Sequence, residues 1–172
     1  MNHTHILETV TTMLSAAAVA ENGAGVIYEG RKTTYRELDD LSRRAAAGLA
    51  SLGIGLGDRV AFWLPNTPAY LVLYFACVRL GAIAVAVNTR FRAGEVEDVL
   101  GRTGAKALIM WPGFRGIDFP GILEEVDRAA LARLEVAILY AEDGKSPSVL
   151  PGVARTVGYE SLFDAGTHEE DA

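Results

Sequence analysis

One stretch of the sequence, residues 57–91, constrains the fold more than any other part of the chain. It contains an apolar run at 60–64, a break at Pro68, a long apolar run and, after Gly81, a second short apolar run at 83–87. The two short runs are apolar without alternation, which is typical of strands covered on both faces in a parallel sheet. The segment between them is therefore predicted to be a buried crossover helix, and the whole unit a right-handed βαβ.

The start of this crossover helix can be read from its first residues. Asn66 or Thr67 is predicted to cap the helix, with Pro68 in the first turn, where a missing N–H costs nothing. Cys77 lies far from the helix start and only Arg79 is nearby in sequence, so little is expected to lower the pKa of its thiol. Cys77 is therefore interpreted as a packed thiol, although the alternative of a nucleophile is open to test.

A second helix start lies earlier in the chain. Thr34 is followed three residues later by Glu37, the pattern of a capping box in which each side chain satisfies a free backbone N–H. The helix that follows is predicted to bury a stripe of apolar residues spaced three and four apart. Asp39 and Arg43, an acidic residue four positions before a basic one, are predicted to pair on its surface.

Strand-like and helix-like segments continue to alternate along the chain, which is typical of an α/β fold. Segments 26–28 and 33–35 flank a turn that contains Gly30, and they predict a small hairpin. The other predicted elements are amphipathic helices at 5–20, 38–52 and 95–102, strands at 106–111 and 136–140, a helix at 122–134 and one further helical turn at 159–163. Residues 142–157 are rich in Asp, Gly, Ser and Pro and predict a surface connection.

These segments predict an α/β fold with a predominantly parallel sheet of βαβ units, flanked by helices and preceded by a small N-terminal hairpin. At 172 residues, the chain is long enough to bury one core. Residues 1–164 are expected to form this α/β unit. Residues 165–172 are expected to form an acidic tail, because their composition is typical of a solvated, disordered end.

Composition excludes several classes of partner and compartment. The net charge is -6 and no long basic run is present, which argues against nucleic acid and anionic membranes as partners. The apolar stretch 69–87 is divided by Gly81, so no membrane span is expected. No Lys or Arg precedes Arg31, which argues against a signal peptide. With a single cysteine, the chain is expected in a reducing cytoplasm.

The sequence contains no complete catalytic constellation that we can assign. It has no phosphate loop of the Gly-Lys-Ser/Thr type, no Cys or His pair at metal spacing and no G-x-S-x-G elbow. The glycines of residues 53–57 follow a predicted helix and precede a strand, the reverse of a phosphate cradle. The histidines lie near the termini, at His3, His5 and His168, and a metal role for the first two is not expected. We therefore assign no catalytic, cofactor-binding or metal-binding residue.

Two loops could nevertheless touch a ligand. The turn 88–91 follows the second strand of the βαβ unit, and ligands of open α/β sheets bind beyond the carboxyl ends of strands. The loop 112–121 contains Phe114, Arg115 and Phe119. In both cases we favour the structural interpretation, a turn at 88–91 and a cover for the sheet edge at 112–121.

The order and spacing of six short motifs resemble one known family, the acyl-CoA synthetases and related adenylate-forming enzymes of the AMP-binding superfamily. The resemblance extends from about residue 24 to residue 163. The matching motifs are TYREL at 34–38, LGI at 52–54 with GDRV at 57–60, LPN at 64–66, RLGA at 79–82, VNTRF at 87–91 and GAK at 104–106.

This resemblance implies a two-step ligase that joins a carboxylate to coenzyme A through an acyl-adenylate, with ATP, Mg²⁺ and coenzyme A required by the full-length parent. The family's phosphate loop, nucleotide-binding motifs and catalytic lysine are expected beyond these residues. The chain therefore resembles the N-terminal α/β subdomain of such a ligase and is predicted to be inactive alone, with the rest of the enzyme as its partner. A homo-oligomer is left open, as is a second hypothesis of a non-catalytic interaction module derived from the family.

Overall fold

The computed structural model describes residues 9–20, 23–142, 150 and 152–164 of the chain. The predicted tail 165–172, the first part of the predicted helix 5–20, and His3, His5 and His168 lie outside the described residues. The helices are α1 Val10–Val19, α2 Tyr35–Ser51, α3 Pro68–Leu80, α4 Ala93–Thr103 and α5 Phe119–Glu124. The strands are β1 Gly25–Tyr28, β2 Arg31–Thr34, β3 Arg59–Trp63, β4 Ile83–Ala86, β5 Ala107–Met110, β6 Val136–Leu139 and β7 Arg155–Gly158.

The architecture is a parallel sheet with helices on both faces and a separate hairpin. Strands β1 and β2 pair antiparallel, and the other five form one sheet in the order β4-β3-β5-β6-β7 in which every pair is parallel. One core lies between the sheet and α1, α2 and α3, and a second lies on the face covered by α4 and α5. The predicted fold class is confirmed.

The βαβ unit that organises the sequence is formed by β3, α3 and β4. The Thr67 side chain caps α3, Pro68 occupies its first turn, and Gly81 ends it at a φ of 69°, a left-handed conformation that glycine adopts at low cost. The expectation that both strands are covered on both faces is wrong for β4. β4 lies at the edge of the sheet and none of its four residues is fully buried: Ile83 is 51% exposed, Ala86 is exposed, and Ala84 and Val85 are half-buried.

Helix α2 begins at the predicted capping box. The Glu37 backbone N–H donates to the Thr34 hydroxyl at 3.1 Å, and the Thr34 backbone N–H donates to the Glu37 carboxylate at 2.7 Å. The buried stripe of the helix includes Leu38, Ala45 and Leu49, which pack against the sheet. The two hydrogen bonds between Thr34 and Glu37 confirm the capping prediction. The sequence could predict them because they join residues only three positions apart.

The predicted pair of Asp39 and Arg43 is confirmed at 2.7 Å, but the prediction that Asp39 lies on the surface of α2 is wrong. The Asp39 carboxylate is buried, and it accepts hydrogen bonds from the Ser15 hydroxyl of α1 at 3.0 Å and from the Arg43 guanidinium at 2.7 Å. Arg79 of α3 also donates to it. The Ser42 hydroxyl, which is buried too, accepts from Arg79 Nε at 3.0 Å. This cluster joins three helices, which residue spacing within α2 alone could not indicate.

Two further predictions are corrected by the structure. The predicted helix 122–134 is the short helix α5 followed by hydrogen-bonded turns, because Asp118 caps α5 earlier in the chain and the helix ends at Glu124. The predicted surface connection 142–157 overlaps a strand, β7. β7 is an edge strand with an exposed residue at each end, and its sequence contains no apolar run by which it could have been predicted. Within the described ranges, no helix is both long and apolar enough to cross a membrane.

Candidate functional site

Aromatic and ionisable side chains from several elements meet at the carboxyl edge of the parallel sheet. There the ends of β6 and β7, the β1–β2 hairpin and the start of α3 surround a cleft of about 390 Å³. We call it the carboxyl-edge cleft. Six of the side chains on its lining carry aromatic rings or negative charge: Tyr28, Glu29, Tyr140, Glu142, Tyr159 and Glu160. Ligands of parallel α/β sheets bind at this edge, so the cleft is the candidate site.

A row of aromatic rings crosses this edge. Its members, in spatial order, are Phe114, Trp111, Tyr140, Tyr159 and Phe163, with successive ring centroids 5.1, 5.3, 5.4 and 5.1 Å apart. At one end the Arg115 guanidinium lies 5.2 Å from the Phe114 centroid. At the other end the Arg44 guanidinium lies 5.2 Å from the Phe163 centroid. We call this set the aromatic row, and its two central tyrosines line the cleft.

The tyrosines of the cleft are held protonated by their surroundings. Burial, together with the negative charge of nearby Glu142, raises the pKa of Tyr140 to about 12. Burial also raises the pKa of Tyr159, with a smaller contribution from the charge of Glu160. The Tyr28 hydroxyl donates to Glu142 Oε1 at 3.3 Å. These phenols are therefore hydrogen-bond donors and ring surfaces at neutral pH, and they are unsuited to act as bases.

The charge on the lining decides what the cleft can hold. Among the described residues of the lining, Glu29, Glu142 and Glu160 are negatively charged and Arg31 is positively charged. Arg115 lies close enough to lower the pKa of Tyr28, but burial and the carboxylates of Glu142 and Glu29 raise that pKa more strongly. Negative charge therefore exceeds positive charge on the lining. A polyanion such as a nucleotide phosphate would be repelled here.

The polar groups of the turn 88–91 form hydrogen bonds with each other and with neighbouring side chains. The Asn88 side-chain oxygen accepts from the Arg90 backbone N–H at 2.9 Å, and the Asn88 carbonyl accepts from the Trp63 indole N–H at 3.1 Å. Arg92 donates to the Arg90 carbonyl at 3.0 Å. In the loop 112–121, Phe119 is fully buried against Trp63. These contacts favour the structural interpretation of both segments.

Cys77 lies in α3 and is completely buried. Burial raises the pKa of the Cys77 thiol to about 12, so the thiolate is absent at neutral pH. The interpretation of Cys77 as a packed thiol is therefore favoured over that of a nucleophile.

We expect native Cys77 to resist modification by a thiol reagent such as dithionitrobenzoate at pH 8, and to react fully once the chain is unfolded in guanidinium. Absorbance of the released thiolate measures this directly. Rapid, stoichiometric modification of the native chain would contradict the packed-thiol interpretation.

The carboxyl-edge cleft could not be recognised in the sequence because its lining comes from five separate segments: the hairpin, α2, α3 and the residues that follow β6 and β7. Tyr28 lies in the hairpin, Tyr140 directly follows β6, and Tyr159 directly follows β7. Only Tyr140 had a usable signal, since it ends a predicted strand and strand ends meet at one edge. Within the described part of the chain, no group of three or more His, Cys, Asp or Glu residues could hold a metal ion. That no residue is catalytic stays a prediction.

Comparison with known proteins identifies the family. The model of the AMP-binding enzyme family matches residues 14–161. The chain belongs to this family. The match covers the hairpin, nearly all of the parallel sheet and the helices on both of its faces, and it confirms the resemblance seen in the short motifs.

Curated relatives in the AMP-binding family are CoA ligases. A medium-chain acyl-CoA ligase, ACSF2, of Macaca fascicularis is 36% identical over 71% of this chain and 20% of its own length. The 3-[(3aS,4S,7aS)-7a-methyl-1,5-dioxo-octahydro-1H-inden-4-yl]propanoyl:CoA ligase of Mycobacterium tuberculosis is 41% identical over 69% of this chain and 24% of its own length. The chain thus spans about a quarter or less of the length of these relatives.

A solved structure shows the same fold. Coronafacic acid ligase from Pectobacterium brasiliense superposes with a TM-score of 0.71 at 20% sequence identity, over 90% of this chain and 29% of that protein. At this identity the likeness concerns the fold alone. The superposition over 90% of this chain shows that the two proteins share the fold of this region.

Proposed function

We propose that the chain is the N-terminal α/β subdomain of an ATP-dependent acyl-CoA ligase. In the reaction, an oxygen of a carboxylate attacks the α-phosphate of ATP and releases pyrophosphate, and the thiol of coenzyme A then displaces AMP to form the thioester. The observation that supports this most is the family match over residues 14–161, together with relatives that are CoA ligases and of whose own length the matched part makes up only 20% and 24%.

The chain's own contribution to that reaction is structural. ATP and coenzyme A are polyanions and do not fit the carboxyl-edge cleft, because the three carboxylates among its described lining residues outnumber the one positive charge, Arg31. No group of three or more potential metal ligands is found in the described ranges. We therefore derive no chemical step through residues of this chain, and we propose that the rest of the enzyme binds these groups. The single, buried Cys77 suits a reducing compartment such as the cytoplasm.

ATP–pyrophosphate exchange with a panel of carboxylic acids tests this proposal. We expect exchange at the blank level for the 172-residue chain. The product of the coding sequence continued past Ala172 is expected to catalyse exchange with at least one acid and to form its CoA thioester. Exchange by the chain alone would contradict the proposal, as would a continued sequence without a phosphate loop. Capture of a separate protein by a chain that lacks such a continuation would support the interaction-module hypothesis instead.

A further inference from the structure

The aromatic row already binds two cationic groups of this chain. The guanidinium groups of Arg115 and Arg44 each lie 5.2 Å from a terminal ring of the row, at Phe114 and Phe163. At this separation a cation is attracted by the negative face of an aromatic ring. A guanidinium group therefore lies over the ring at each end of the row, while Tyr140 and Tyr159 between these ends line the cleft.

The centre of the row has the same ring chemistry with added negative charge. Tyr140 and Tyr159 are the central rings, with centroids 5.4 Å apart and planes at 82°. The carboxylates of Glu29, Glu142 and Glu160 line the same cleft. Partial burial of the tyrosines strengthens electrostatic attraction relative to open water.

We propose that the carboxyl-edge cleft binds a guanidinium or ammonium group, held against the rings of Tyr140 and Tyr159 and neutralised by Glu29, Glu142 and Glu160. A volume of about 390 Å³ accommodates a small amine or the end of an arginine or lysine side chain. The cation therefore has two sources, a free small molecule or a side chain from the rest of the proposed ligase. Both sources present the same chemistry to the cleft.

Other ligand classes fit the cleft less well. The carboxylates are spread around the lining, and no group of three or more acidic, His or Cys residues in the described segments is arranged to hold a metal ion. Anionic ligands are repelled, because the three carboxylates on the described part of the lining outnumber the positive charge of Arg31. An organic cation is larger than a metal ion and can contact dispersed carboxylates and ring faces together.

Titration of the 172-residue chain with agmatine, which carries a guanidinium and an ammonium group, tests the proposal. We expect shifts of the Tyr140 and Tyr159 ring resonances in NMR spectra at low ionic strength, with affinity in the millimolar range. Added salt is expected to weaken binding because the carboxylates are partly exposed. Succinate, an anion of similar size, is expected to cause no shift. Absence of any agmatine-dependent shift would overturn the proposal.

Variants that remove carboxylates inside and outside the cleft test whether the lining charge contributes to binding. The triple variant Glu29→Gln, Glu142→Gln, Glu160→Gln is expected to bind agmatine about tenfold more weakly, because three attractive carboxylates are lost. Glu124→Gln removes an exposed carboxylate of α5 outside the cleft, and it is expected to change affinity less than about twofold. Circular dichroism checks that all variants fold. Equal affinity of the triple variant and the wild type would refute the carboxylate contribution and overturn the proposal.

The source of the cation is decided by the same titration of the product continued past Ala172. Loss of agmatine binding in that longer product would assign the cleft to a cationic side chain of the rest of the enzyme. Retained binding would assign it to a free small amine. Of these experiments, only the titration of the longer product rests on the proposed function. Agmatine binding by the chain, without ligase activity in the longer product, would refute the proposed function and leave the cation site standing.

Discussion

The Asp39→Asn variant is expected to lose about 3 kcal/mol of unfolding free energy, because it leaves a buried arginine without its anion. The Asp39 and Arg79 side chains are only 8% and 15% exposed. Asp39 accepts hydrogen bonds from residues on α1, α2 and α3, so the change weakens the contact among all three helices. Urea unfolding followed by circular dichroism measures the loss.

Asp98→Asn is the matched control for this variant. Asp98 pairs with Arg102 at 3.4 Å, but these side chains are 60% and 79% exposed. Solvent screens such a pair, so the change is expected to alter the unfolding free energy by less than about 0.5 kcal/mol. Similar losses for the two variants would show that burial of Asp39 adds nothing to its stabilising effect.

The stabilisation by Asp39 is also expected to depend on pH. Burial alone would raise the pKa of Asp39, but hydrogen bonds from Arg43 and Ser15 and the charges of Arg79 and Arg43 outweigh it and lower the pKa. A carboxylate with a lowered pKa stabilises the fold above its unfolded value, about 4, and this contribution disappears as the pH falls through the folded pKa. The difference between wild type and Asp39→Asn should therefore narrow below about pH 4.

Gly48→Ala is expected to destabilise the chain by about 2 kcal/mol, although alanine favours helices over glycine by about 1 kcal/mol. Gly48 lies within α2, where it meets the turn Tyr159–Phe163. A methyl group there would overlap with the Leu162 carbonyl oxygen and lie 2.7 Å from the Leu162 Cα. These are backbone atoms that cannot rotate away, so the turn must move from α2. Thermal or urea unfolding measures the effect.

Gly94→Ala separates this steric effect from helix propensity. Gly94 lies in the first turn of α4, and a methyl group there would meet no atom within 4 Å. This variant is expected to be neutral or to gain up to about 0.5 kcal/mol. A stabilising Gly48→Ala variant, comparable to Gly94→Ala, would show that the contact between α2 and Leu162 is easily displaced.

Local signals predicted the elements that depend on neighbouring residues. The capping box of Thr34 and Glu37 needs only two residues three positions apart, and the start of α3 at Thr67 and Pro68 is equally local. The alternation of strands and helices likewise predicted a parallel sheet. In contrast, β7 has the sequence RTVG, so the apolar pattern that identified β3 and β5 was absent.

The candidate site was hidden from the sequence for a related reason. Tyr28, Tyr140 and Tyr159 belong to segments far apart in the chain, and each tyrosine alone is unremarkable. Strand order brings them together, because β6 and β7 are adjacent and both end at the same edge. The cation-binding chemistry of the aromatic row depends on ring separations that no spacing along the chain encodes.

By itself, the sequence determined the family, the α/β class and the βαβ unit of residues 57–91, because periodicity, caps and motif order are local properties. Only the tertiary structure decided that β4 is an edge strand, that Asp39 is buried among three helices, and that a tyrosine-lined, acidic cleft lies beyond β6 and β7. Strand order and the burial of charge depend on contacts between residues distant in sequence. Spacing and periodicity along the chain do not reveal these contacts.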